Sequence, residues 1–277
     1  MNLKNKIALV TGAGAGIGRA IALRLGREGA RVGVNDINEK AIDETLKRLQ
    51  GNGADGLALP ADVGNSDQVK KMFEKLMSTW ETLDILVNNA GIAIPAGWSD
   101  YQKQHTAAVL KSLTEVMKTG RIQESMKITS AFKEEWWHTT LRIHLDGTFF
   151  CTREALKIME EKRSGGIINM ASVCGMEGCA GMPAYSAAKG GIIAFTKAIA
   201  KEVIGSGIIV NAVAPGYVDT PLLANMDSEV KNLIIAQTPA GRLGTPEEIS
   251  SMVAYLASNE ASFMVGQILS PNGGLVI

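Results

Sequence analysis

The start of the chain places a glycine-rich turn between a short aliphatic run and an amphipathic helix. Residues 6–10 read KIALV, and residues 11–18 read TGAGAGIG. Ile17, Ile21 and Leu25 then recur at helical spacing. This order predicts a β-strand, a tight turn whose glycines tolerate positive φ, and a helix that packs back on the strand. Such a unit normally continues into a parallel strand, so it constrains the architecture of the whole chain.

The same alternation of strand and helix recurs along the sequence. Six more aliphatic runs are separated by stretches of helical periodicity: residues 31–35, 56–61, 83–88, 166–171, 207–213 and 265–269. The sequence therefore predicts an α/β fold with a doubly wound, seven-stranded parallel sheet of the Rossmann-like kind. No Pro-, Ser- or charge-rich linker divides the 277 residues, so we expect a single domain over residues 1–277.

One connection is too long for a single crossover helix. Between residues 88 and 166, the sequence contains an additional amphipathic stretch at 101–118, which places Val109, Leu113, Val116 and Met117 on one helical face. Gly120 follows as a stop signal. We expect a helical insertion at about residues 95–131 that covers a substrate pocket at the carboxyl edge of the sheet. A role in a subunit interface is the open alternative.

Charge and hydropathy exclude several classes of protein. The 28 basic residues balance 28 acidic ones, which argues against a nucleic-acid partner or an anionic-membrane surface. No apolar run is long enough to span a bilayer, so we expect a cytoplasmic location. Cys151, Cys174 and Cys179 lack the spacing of a zinc or redox motif. We expect them to be reduced thiols without a structural role, and we expect no metal site.

The glycine turn and one acidic residue predict a dinucleotide site. Glycines at this position let backbone N–H groups approach a pyrophosphate at the positive end of the helix dipole. Asp36 lies at the end of the second predicted strand, where its carboxylate can accept hydrogen bonds from an adenosine ribose. It would repel a 2′-phosphate, and neither Ala15 nor Ile37 supplies a compensating cation, so NAD is favoured over NADP. Alternatively, Asp36 only caps the helix that starts near Asn38.

Three polar side chains predict a reactive group at the carboxyl edge of the sheet. Tyr185 and Lys189 are four residues apart in a stretch of helical character, so they share one face. A lysine cation within about 4–6 Å lowers the pKa of a tyrosine, and a bound nicotinamide would add to that effect. Ser172 follows the strand at 166–171, which delivers it to the same edge. Alone, the Tyr–Lys spacing is equally typical of an exposed helix pair.

With these motifs the chain resembles the short-chain dehydrogenase/reductase family, in its single-domain form, over nearly its full length. The matching segments are TGAGAGIG at residues 11–18, Asp62-Val63, NNAG at 88–91, Ser172, YSAAK at 185–189, and Pro215-Gly216 with Thr220. The resemblance implies that Ser172 orients the substrate oxygen and that Tyr185 is the general acid/base. It also implies that Lys189 lowers the pKa of Tyr185 and holds the nicotinamide ribose, and that the protein is a homotetramer.

The resemblance and the residue arguments together predict the binding residues. For the cofactor these are Gly12, Gly14, Ala15, Gly16, Ile17, Gly18, Asp36, Ile37, Asp62, Val63, Asn89, Ala90, Gly91, Tyr185, Lys189, Pro215, Gly216, Val218 and Thr220. For the substrate they are Ser172, Cys174, Met182, Tyr185 and Leu222. Leu222 lies in a segment at about 219–240 that forms a substrate lid in the family. Pro215-Gly216 is alternatively only a turn.

The sequence departs from the family pattern at one catalytic position. Where the family commonly has Asn in the helix after the fourth strand, this chain has His144, followed by Leu145-Asp146-Gly147. In the family, that Asn binds a water that links the lysine to solvent in a proton relay. An imidazole with a pKa near 6.5 can exchange protons itself, so we expect His144 to serve the relay. A purely structural histidine is the open alternative.

These residues favour an enzyme. We expect an NAD-dependent alcohol dehydrogenase or ketone reductase that interconverts a secondary alcohol and a ketone by proton transfer through Tyr185 and hydride transfer. Val173, Cys174, Met176 and Met182 carry no fixed charge, which favours a largely apolar substrate of the cyclic, terpenoid, steroid-like or aromatic kind. The alternatives are a 3-oxoacyl thioester reductase, which Asp36 disfavours, and a non-catalytic NAD-binding regulatory protein.

Overall fold

The seven strands of the chain form one parallel sheet. The computed structural model describes residues 1–92, 99–223 and 227–277, and for residues 99–103, 113 and 222 it describes the backbone only. The strands are β1 (Ile7–Val10), β2 (Arg31–Asp36), β3 (Gly56–Pro60), β4 (Ile85–Asn88), β5 (Gly165–Met170), β6 (Ile208–Val213) and β7 (Ile268–Leu269). Their order is β3-β2-β1-β4-β5-β6-β7. The predicted doubly wound sheet is confirmed.

Helices cover both faces of the sheet. They are α1 (Gly16–Arg27), α2 (Glu39–Gly51), α3 (Ser66–Trp80), α4 (Ser99–Thr119), α5 (Glu134–Leu141), α6 (Gly147–Lys162), α7 (Val173–Met176), α8 (Pro183–Val203), α9 (Ser228–Gln237) and α10 (Pro246–Leu256). One apolar core joins α1, α2 and α10 to the sheet, and a second joins α3, α6 and α8 to its other face. Within the described ranges, no helix is both long and apolar enough to cross a membrane.

Burial on both faces explains why the strands appear as continuous aliphatic runs. All four residues of β1 are at most 1% exposed, because helices pack above and below them. The chain order reverses between β1 and β4, which are neighbours in the sheet. Connections leave a crevice at the carboxyl ends of the strands at such a reversal, and that crevice is where α/β sheets bind ligands.

A buried chain of amide and hydroxyl groups joins β4, which borders this crevice, to β5 and to two helices. The Nδ2 atom of Asn88, at the end of β4, donates to Oδ1 of Asn169 in β5 at 2.8 Å and lies 3.0 Å from the Thr152 hydroxyl of α6. Asn169 in turn donates to the Thr196 hydroxyl of α8 at 2.9 Å. Because these groups are buried, the bonds fix the positions of β4, β5, α6 and α8 relative to one another.

The helix after β4 confirms one prediction and corrects another. It spans Ser99–Thr119 and ends at Gly120, whose φ of 75° is the left-handed conformation expected of a helix stop. The predicted apolar face is wrong in part, because Met117 is 70% exposed and Val116 is 41% exposed. Ser112, one helical turn before Val116, is buried instead. The side chain of Leu113 lies outside the described residues.

The expectation that all cysteines are reduced thiols is also wrong. Cys174 and Cys179 form a disulfide, whereas Cys151 is free and buried in α6. The chain turns back sharply after α7, and Gly178 has a φ of 79°, which brings the two Cα atoms to 4.9 Å. The spacing of the cysteines could not reveal this turn, because it matches no disulfide or metal motif.

Truncating the buried amide chain should destabilise the fold. Replacing Asn169 with Ala removes the acceptor of Asn88 and the donor to Thr196, so we expect the free energy of unfolding to fall by about 1–3 kcal/mol. Urea denaturation of Asn169→Ala and of the exposed control Asn52→Ala measures the difference. Equal midpoints for the two variants would show that the chain of bonds contributes nothing to stability.

Candidate active site

A cleft of about 610 Å³ opens at the carboxyl ends of the central strands. One end is lined by the glycine turn after β1 and by the end of β2, and the other by α7 and α8. The segment after β6 extends along the cleft to the glycine turn, where a Cβ atom at Gly16 would lie 3.5 Å from Thr220. Most of the predicted site residues line this single cleft: Gly12, Ala15, Gly16, Ile17, Gly18, Asp36, Asn89, Gly91, His144, Ser172, Cys174, Met182, Tyr185, Lys189, Pro215, Gly216, Val218 and Thr220.

The glycine turn presents backbone groups to the cleft. Gly12 has a φ of 61°, and a Cβ atom there would lie 2.8 Å from the Cα of Ala90, so only glycine fits. Ala15 is the N-cap of α1 and carries no side-chain oxygen to accept the first amides of the helix. These N–H groups are therefore available to an anion, and the helix dipole favours the same charge. The turn fits a pyrophosphate.

Asp36 closes the same end of the cleft with a carboxylate. Its Oδ2 atom accepts a hydrogen bond from the N–H of Gly14 at 3.0 Å, and its Oδ1 atom accepts one from the N–H of Asn38. The alternative that Asp36 is the cap of α2 does not hold, because the side chain of Asn38 is the N-cap and accepts from Ala41. Asp36 is therefore held by the turn itself, next to the space where a ribose would lie.

A basic residue lies near this carboxylate, but its charge is already paired. The guanidinium of Arg19 is 2.9 Å from the Glu44 carboxylate and donates to the carbonyl of Gly14. Its Nε atom donates to the Thr45 hydroxyl at 3.0 Å. Ile37, which follows Asp36, is 76% exposed and uncharged.

Asn89 joins the ends of β1 and β4 beside the turn. Its Nδ2 atom donates to the carbonyls of Thr11 and Gly12, at 2.9 and 3.2 Å. The Thr11 hydroxyl in turn accepts from the N–H groups of Asn89 and Ala90. This reciprocal set of bonds holds the floor of the cleft rigid, as a preorganised binding site requires.

Ser172, Tyr185 and Lys189 meet at the other end of the cleft. Ser172 follows β5 and caps α7, and its hydroxyl is hydrogen-bonded to Tyr185 in the first turn of α8. Lys189, one turn further along α8, is 4% exposed, and its Nζ atom donates to the carbonyl of Met170 at 2.6 Å. That Nζ atom lies 5.6 Å from the centre of the Tyr185 ring. The spacing prediction of a shared helix face is therefore met.

Burial sets the protonation of both groups. It lowers the pKa of Lys189 to about 7, so the lysine changes charge near neutral pH. It raises the pKa of Tyr185 above its usual value of 10, against the opposite effect of the Ser172 hydrogen bond. The expectation that Lys189 and a bound nicotinamide together lower the pKa of Tyr185 stays a prediction for the enzyme with its cofactor. In the protein by itself, Tyr185 is a phenol that can donate a proton, and its ionisation requires further positive charge nearby.

His144 lies directly behind Tyr185, in a π-helical turn between α5 and α6 (Arg142–Asp146). Its ring meets that of Tyr185 edge to face at a centroid distance of 5.3 Å. The Nε2 atom is 2.8 Å from the carbonyl oxygen and 3.1 Å from the nitrogen of Ile92. The Nδ1 atom is buried and has no hydrogen-bond partner among the described residues. π-Helical turns of this kind are frequent at functional sites.

The pKa of His144 corrects the expectation that it exchanges protons near neutral pH. Burial, with a smaller contribution from the charge of Lys189, lowers this pKa to about 3, although the hydrogen bond to Ile92 acts in the other direction. The imidazole is therefore neutral throughout the physiological range. It can accept one hydrogen bond and donate another, but it carries no titratable proton near pH 6.5.

Five predicted cofactor residues do not line the cleft: Gly14, Ile37, Asp62, Val63 and Ala90. Asp62 instead forms an ion pair at 2.8 Å with Arg142, which lies 80 residues away in sequence. Val63 is buried against Gly147 at the start of α6. The side chain of Leu222 and residues 224–226, which belong to the predicted lid, lie outside the described residues. Leu223 and Val230 of that segment do line the cleft.

One wall of the cleft was predicted only in part. His105, Thr106 and Val109 of α4 line it, together with Phe132 and Tyr217. Val109 belongs to the predicted apolar face of α4. The polar His105 and Thr106 share that face, since residues at i, i+1 and i+4 lie on one side of a helix, but an apolar pattern does not include them.

Comparison with known proteins identifies the relatives of this chain. The family profile described as "short chain dehydrogenase" matches residues 6–125, and the one described as "Enoyl-(Acyl carrier protein) reductase" matches residues 116–276. The 3-oxoacyl-[acyl-carrier-protein] reductase FabG of Thermotoga maritima is 34% identical over 277 residues, which cover 100% of both chains. The chain belongs to the short-chain dehydrogenase/reductase family.

Other members of this family agree with the assignment. The reductase FabG of Escherichia coli (strain K12) is 36% identical over 278 residues, and the alignment covers 99% of each protein. The solved structure of a short-chain type dehydrogenase/reductase from Mycobacterium marinum superposes with a TM-score of 0.84 at 28% identity. It covers 99% of this chain and 97% of its own. This short-chain dehydrogenase/reductase is therefore an oxidoreductase that uses a nicotinamide cofactor.

The low pKa of His144 predicts the absence of a titration. Between about pH 5 and 8 the imidazole should stay neutral, because the charged form is disfavoured by burial and by Lys189. NMR of the histidine Cε1–H resonances over this range measures it, and the variant His144→Asn assigns the resonance by its loss. A His144 resonance that titrates with a midpoint near 6.5 would contradict the buried geometry.

Proposed function

We propose that this enzyme interconverts a 3-hydroxyacyl and a 3-oxoacyl group with NAD(H). The reaction is supported chiefly by the contact of Ser172 with Tyr185. The buried Lys189 lies one helical turn from Tyr185, and all three residues line the cleft. The acyl substrate is supported by relatives that are named 3-oxoacyl-[acyl-carrier-protein] reductases and that match this chain from end to end. The two substrate forms are a secondary alcohol and its ketone, which is the reaction class expected from the residues together with the family resemblance.

The residues act in a simple order when a ketone is reduced. The Ser172 hydroxyl orients the carbonyl oxygen, and the phenol of Tyr185 donates a proton to that oxygen as negative charge develops on it. Lys189 has a pKa of about 7, and in its protonated form it stabilises the resulting tyrosinate. The nicotinamide, when bound, supplies the hydride and, in its oxidised form, a positive charge. In the oxidative direction Tyr185 removes the hydroxyl proton.

The cleft has residues for both ends of the cofactor. The turn from Gly12 to Gly18 would hold the pyrophosphate, and Asp36 would accept hydrogen bonds from the adenosine ribose. At the other end, Lys189 would hold the nicotinamide ribose, and Pro215, Gly216, Val218 and Thr220 would contact the nicotinamide. His144 would take part in the proton relay as a neutral imidazole, with its Nδ1 atom accepting a hydrogen bond from water.

We assign NAD rather than NADP on the electrostatics of Asp36. A 2′-phosphate placed on the ribose would meet this carboxylate, while Ala15 and Ile37 are uncharged and Arg19 is paired with Glu44. Asp36 disfavours a 3-oxoacyl reductase of the usual kind, because such enzymes usually require NADPH. A 3-oxoacyl enzyme with an aspartate at this position is consistent with both observations.

Exchanging this charge should change the cofactor. The double variant Asp36→Ala with Ile37→Arg should raise the preference for NADPH over NADH by roughly several tens of fold. The repulsive carboxylate is removed, and the new guanidinium can bind the 2′-phosphate. The preference is the ratio of kcat/KM for the two cofactors, with the variant Ile37→Arg alone as control. If the unaltered enzyme already prefers NADPH, the assignment of NAD is wrong.

A second candidate substrate is a compact apolar alcohol of the cyclic, terpenoid, steroid-like or aromatic kind. It is favoured by the apolar lining of the cleft, which includes Val109 of α4, Phe132, Cys174 and Met182, none of which carries a fixed charge. Steady-state oxidation of NADH with acetoacetyl-CoA and with a panel of cyclic ketones decides between the two. Turnover of neither class would argue for a protein that binds NAD without catalysis.

We propose that residues 99–131 of the predicted insertion cover the substrate end of the cleft; its first residues, 95–98, lie outside the described residues. His105 supports this, because its Nε2 atom lies 3.1 Å from the carbonyl oxygen of Gly181, in the loop before α8. A Cβ atom at Gly181 would lie 2.5 Å from the same ring, so α4 and the loop are in close contact. Burial lowers the pKa of His105, so the ring is neutral at pH 7.

Removing this contact should weaken substrate binding alone. His105→Ala should raise KM for the substrate at least about threefold while leaving kcat and the Kd of NADH within about twofold. His105→Gln, whose side-chain amide can donate to the same carbonyl, should lose less affinity than His105→Ala. Lys118→Ala, at the exposed end of α4, is the control. An unaltered KM together with dissociation of the oligomer would support the interface role instead.

We propose a homotetramer, as the resemblance implied. It is supported by apolar side chains that remain exposed on the single chain: Phe149 of α6 at 44%, Phe263 at 101% and Ile277 at 112%. Exposed aromatic and aliphatic residues of this size are typical of subunit interfaces.

A further inference from the structure

A disulfide lies in the stretch of chain between Ser172 and Tyr185, the residues that carry the two proposed catalytic hydroxyl groups. Cys174 is two residues after Ser172, and Cys179 is six residues before Tyr185. We call residues 174–179 the bridged loop. Cys174 lines the substrate end of the cleft. The proposed reaction does not use this bond, so its place in the site requires another explanation.

Both ends of the bridged loop hold a hydroxyl group of the catalytic region. The N–H of Cys174 donates to the Oγ atom of Ser172 at 3.2 Å. The N–H of Cys179 donates to the Oγ atom of Ser186, the residue after Tyr185, at 3.0 Å. The disulfide therefore ties together the two segments that carry the serine and the tyrosine. A change in the loop would act on the position of both.

The loop also packs against the backbone of the catalytic helix. A Cβ atom at Gly175 would lie 2.5 Å from the carbonyl carbon of Lys189, so α7 approaches α8 as closely as glycine allows. The turn that contains Tyr185 and Lys189 is thus supported on one side by the bridged loop. The glycine turn and Asp36, which would hold the pyrophosphate and the adenosine ribose, lie away from this support, so most of the cofactor site does not depend on it.

One of the two cysteines is within reach of a reagent. Cys174 is 5% exposed, but Cys179 is partly exposed, and Met176, Glu177 and Gly178 beside it are exposed. A thiolate that approaches from solvent meets the sulfur of Cys179 first. Cys151, the remaining cysteine, is fully buried in α6. Reduction should therefore act at the bridged loop and nowhere else in the chain.

We infer that Cys174 and Cys179 form a thiol–disulfide exchange site, at which a dithiol reductant converts the enzyme to a form that binds and turns over substrate poorly. The reduced loop is free to leave the catalytic segments, because a covalent constraint on six residues is lost. Ser172 and Tyr185 then lose one of the constraints on their separation, while the bonds of Lys189 to Met170 and of Asn169 to Thr196 remain. The inference depends on the proposed function for its kinetic readout, but its structural readout does not.

The exchange is a balanced two-electron step. A thiolate of the dithiol attacks the sulfur of Cys179, the bond between the two cysteine sulfurs breaks, and Cys174 leaves as a thiolate that takes up a proton. The second thiol of the reductant then displaces Cys179, which also becomes a thiol. The dithiol ends as a cyclic disulfide, having transferred two electrons and two protons to the protein. An oxidant of the diamide class reverses the exchange.

The test uses the full enzyme, with and without dithiothreitol, at a saturating concentration of NADH. Alkylation with N-ethylmaleimide followed by mass spectrometry should show two additional modified cysteines after reduction. The same reduction should lower kcat/KM for the substrate at least about fivefold and leave the Kd of NADH within about twofold. Diamide should restore the original value. Cys179→Ser should show the reduced kinetics whether or not dithiothreitol is present.

Two further measurements keep the outcomes distinct. Cys151→Ala should keep the full response to dithiothreitol, which excludes the buried thiol as its origin. Hydrogen exchange at residues 173–186 should accelerate on reduction and stay unchanged in Cys179→Ser, and this readout needs no substrate. If no substrate is turned over but hydrogen exchange accelerates on reduction, the proposed function fails and the thiol–disulfide exchange site stands. Reduction of the disulfide without any change in hydrogen exchange or in kcat/KM would overturn the inference. Failure of diamide to re-form the disulfide between Cys174 and Cys179 would overturn it too.

Discussion

The buried ammonium group of Lys189 is the constraint on which the rest of the site depends. Its Nζ atom donates to the carbonyl of Met170 at 2.6 Å, and burial lowers its pKa to about 7. A charge in such a place is costly unless it is hydrogen-bonded, so the end of β5 and the first turns of α8 must keep their relative position. The amide chain from Asn88 through Asn169 to Thr196 provides this, since it bonds β4 to β5 and β5 to α8.

The remaining parts of the site are arranged around that fixed point. Tyr185 is placed one turn before Lys189, with the Ser172 hydroxyl on one side and the ring of His144 on the other. Burial raises the pKa of Tyr185, so the phenol is ready to donate and the tyrosinate is formed only when positive charge is close. Lys189 near its pKa and an oxidised nicotinamide are the two sources of that charge. In the proposed mechanism the chemistry is thereby coupled to cofactor binding, which we assign to the glycine turn and Asp36 at the far end of the cleft.

Local patterns predicted the strands, the glycine turn and the meeting of Ser172, Tyr185 and Lys189, because these depend on periodicity and on where parallel strands end. Contacts between distant residues were not predictable in this way. Asp62 pairs with Arg142 rather than lining the cleft, and the disulfide depends on a reversal of the chain at Gly178. The pKa of His144 depends on complete burial, which its own sequence neighbours do not indicate. The inner face of α4 carries His105 and Ser112, so polar residues lie where an apolar pattern was sought.

Replacement of Tyr185 by Phe tests the central claim most directly, because it removes one hydroxyl and leaves the ring that packs against His144. We expect kcat to fall at least about 10²-fold relative to the unaltered enzyme. The Kd of NADH, measured by fluorescence titration, should stay within about twofold. Tyr255→Phe, which removes a hydroxyl far from the cleft, should leave both quantities unchanged. A kcat for Tyr185→Phe within tenfold of the unaltered enzyme, with NADH still bound, would show that proton transfer does not pass through this residue and would contradict the account.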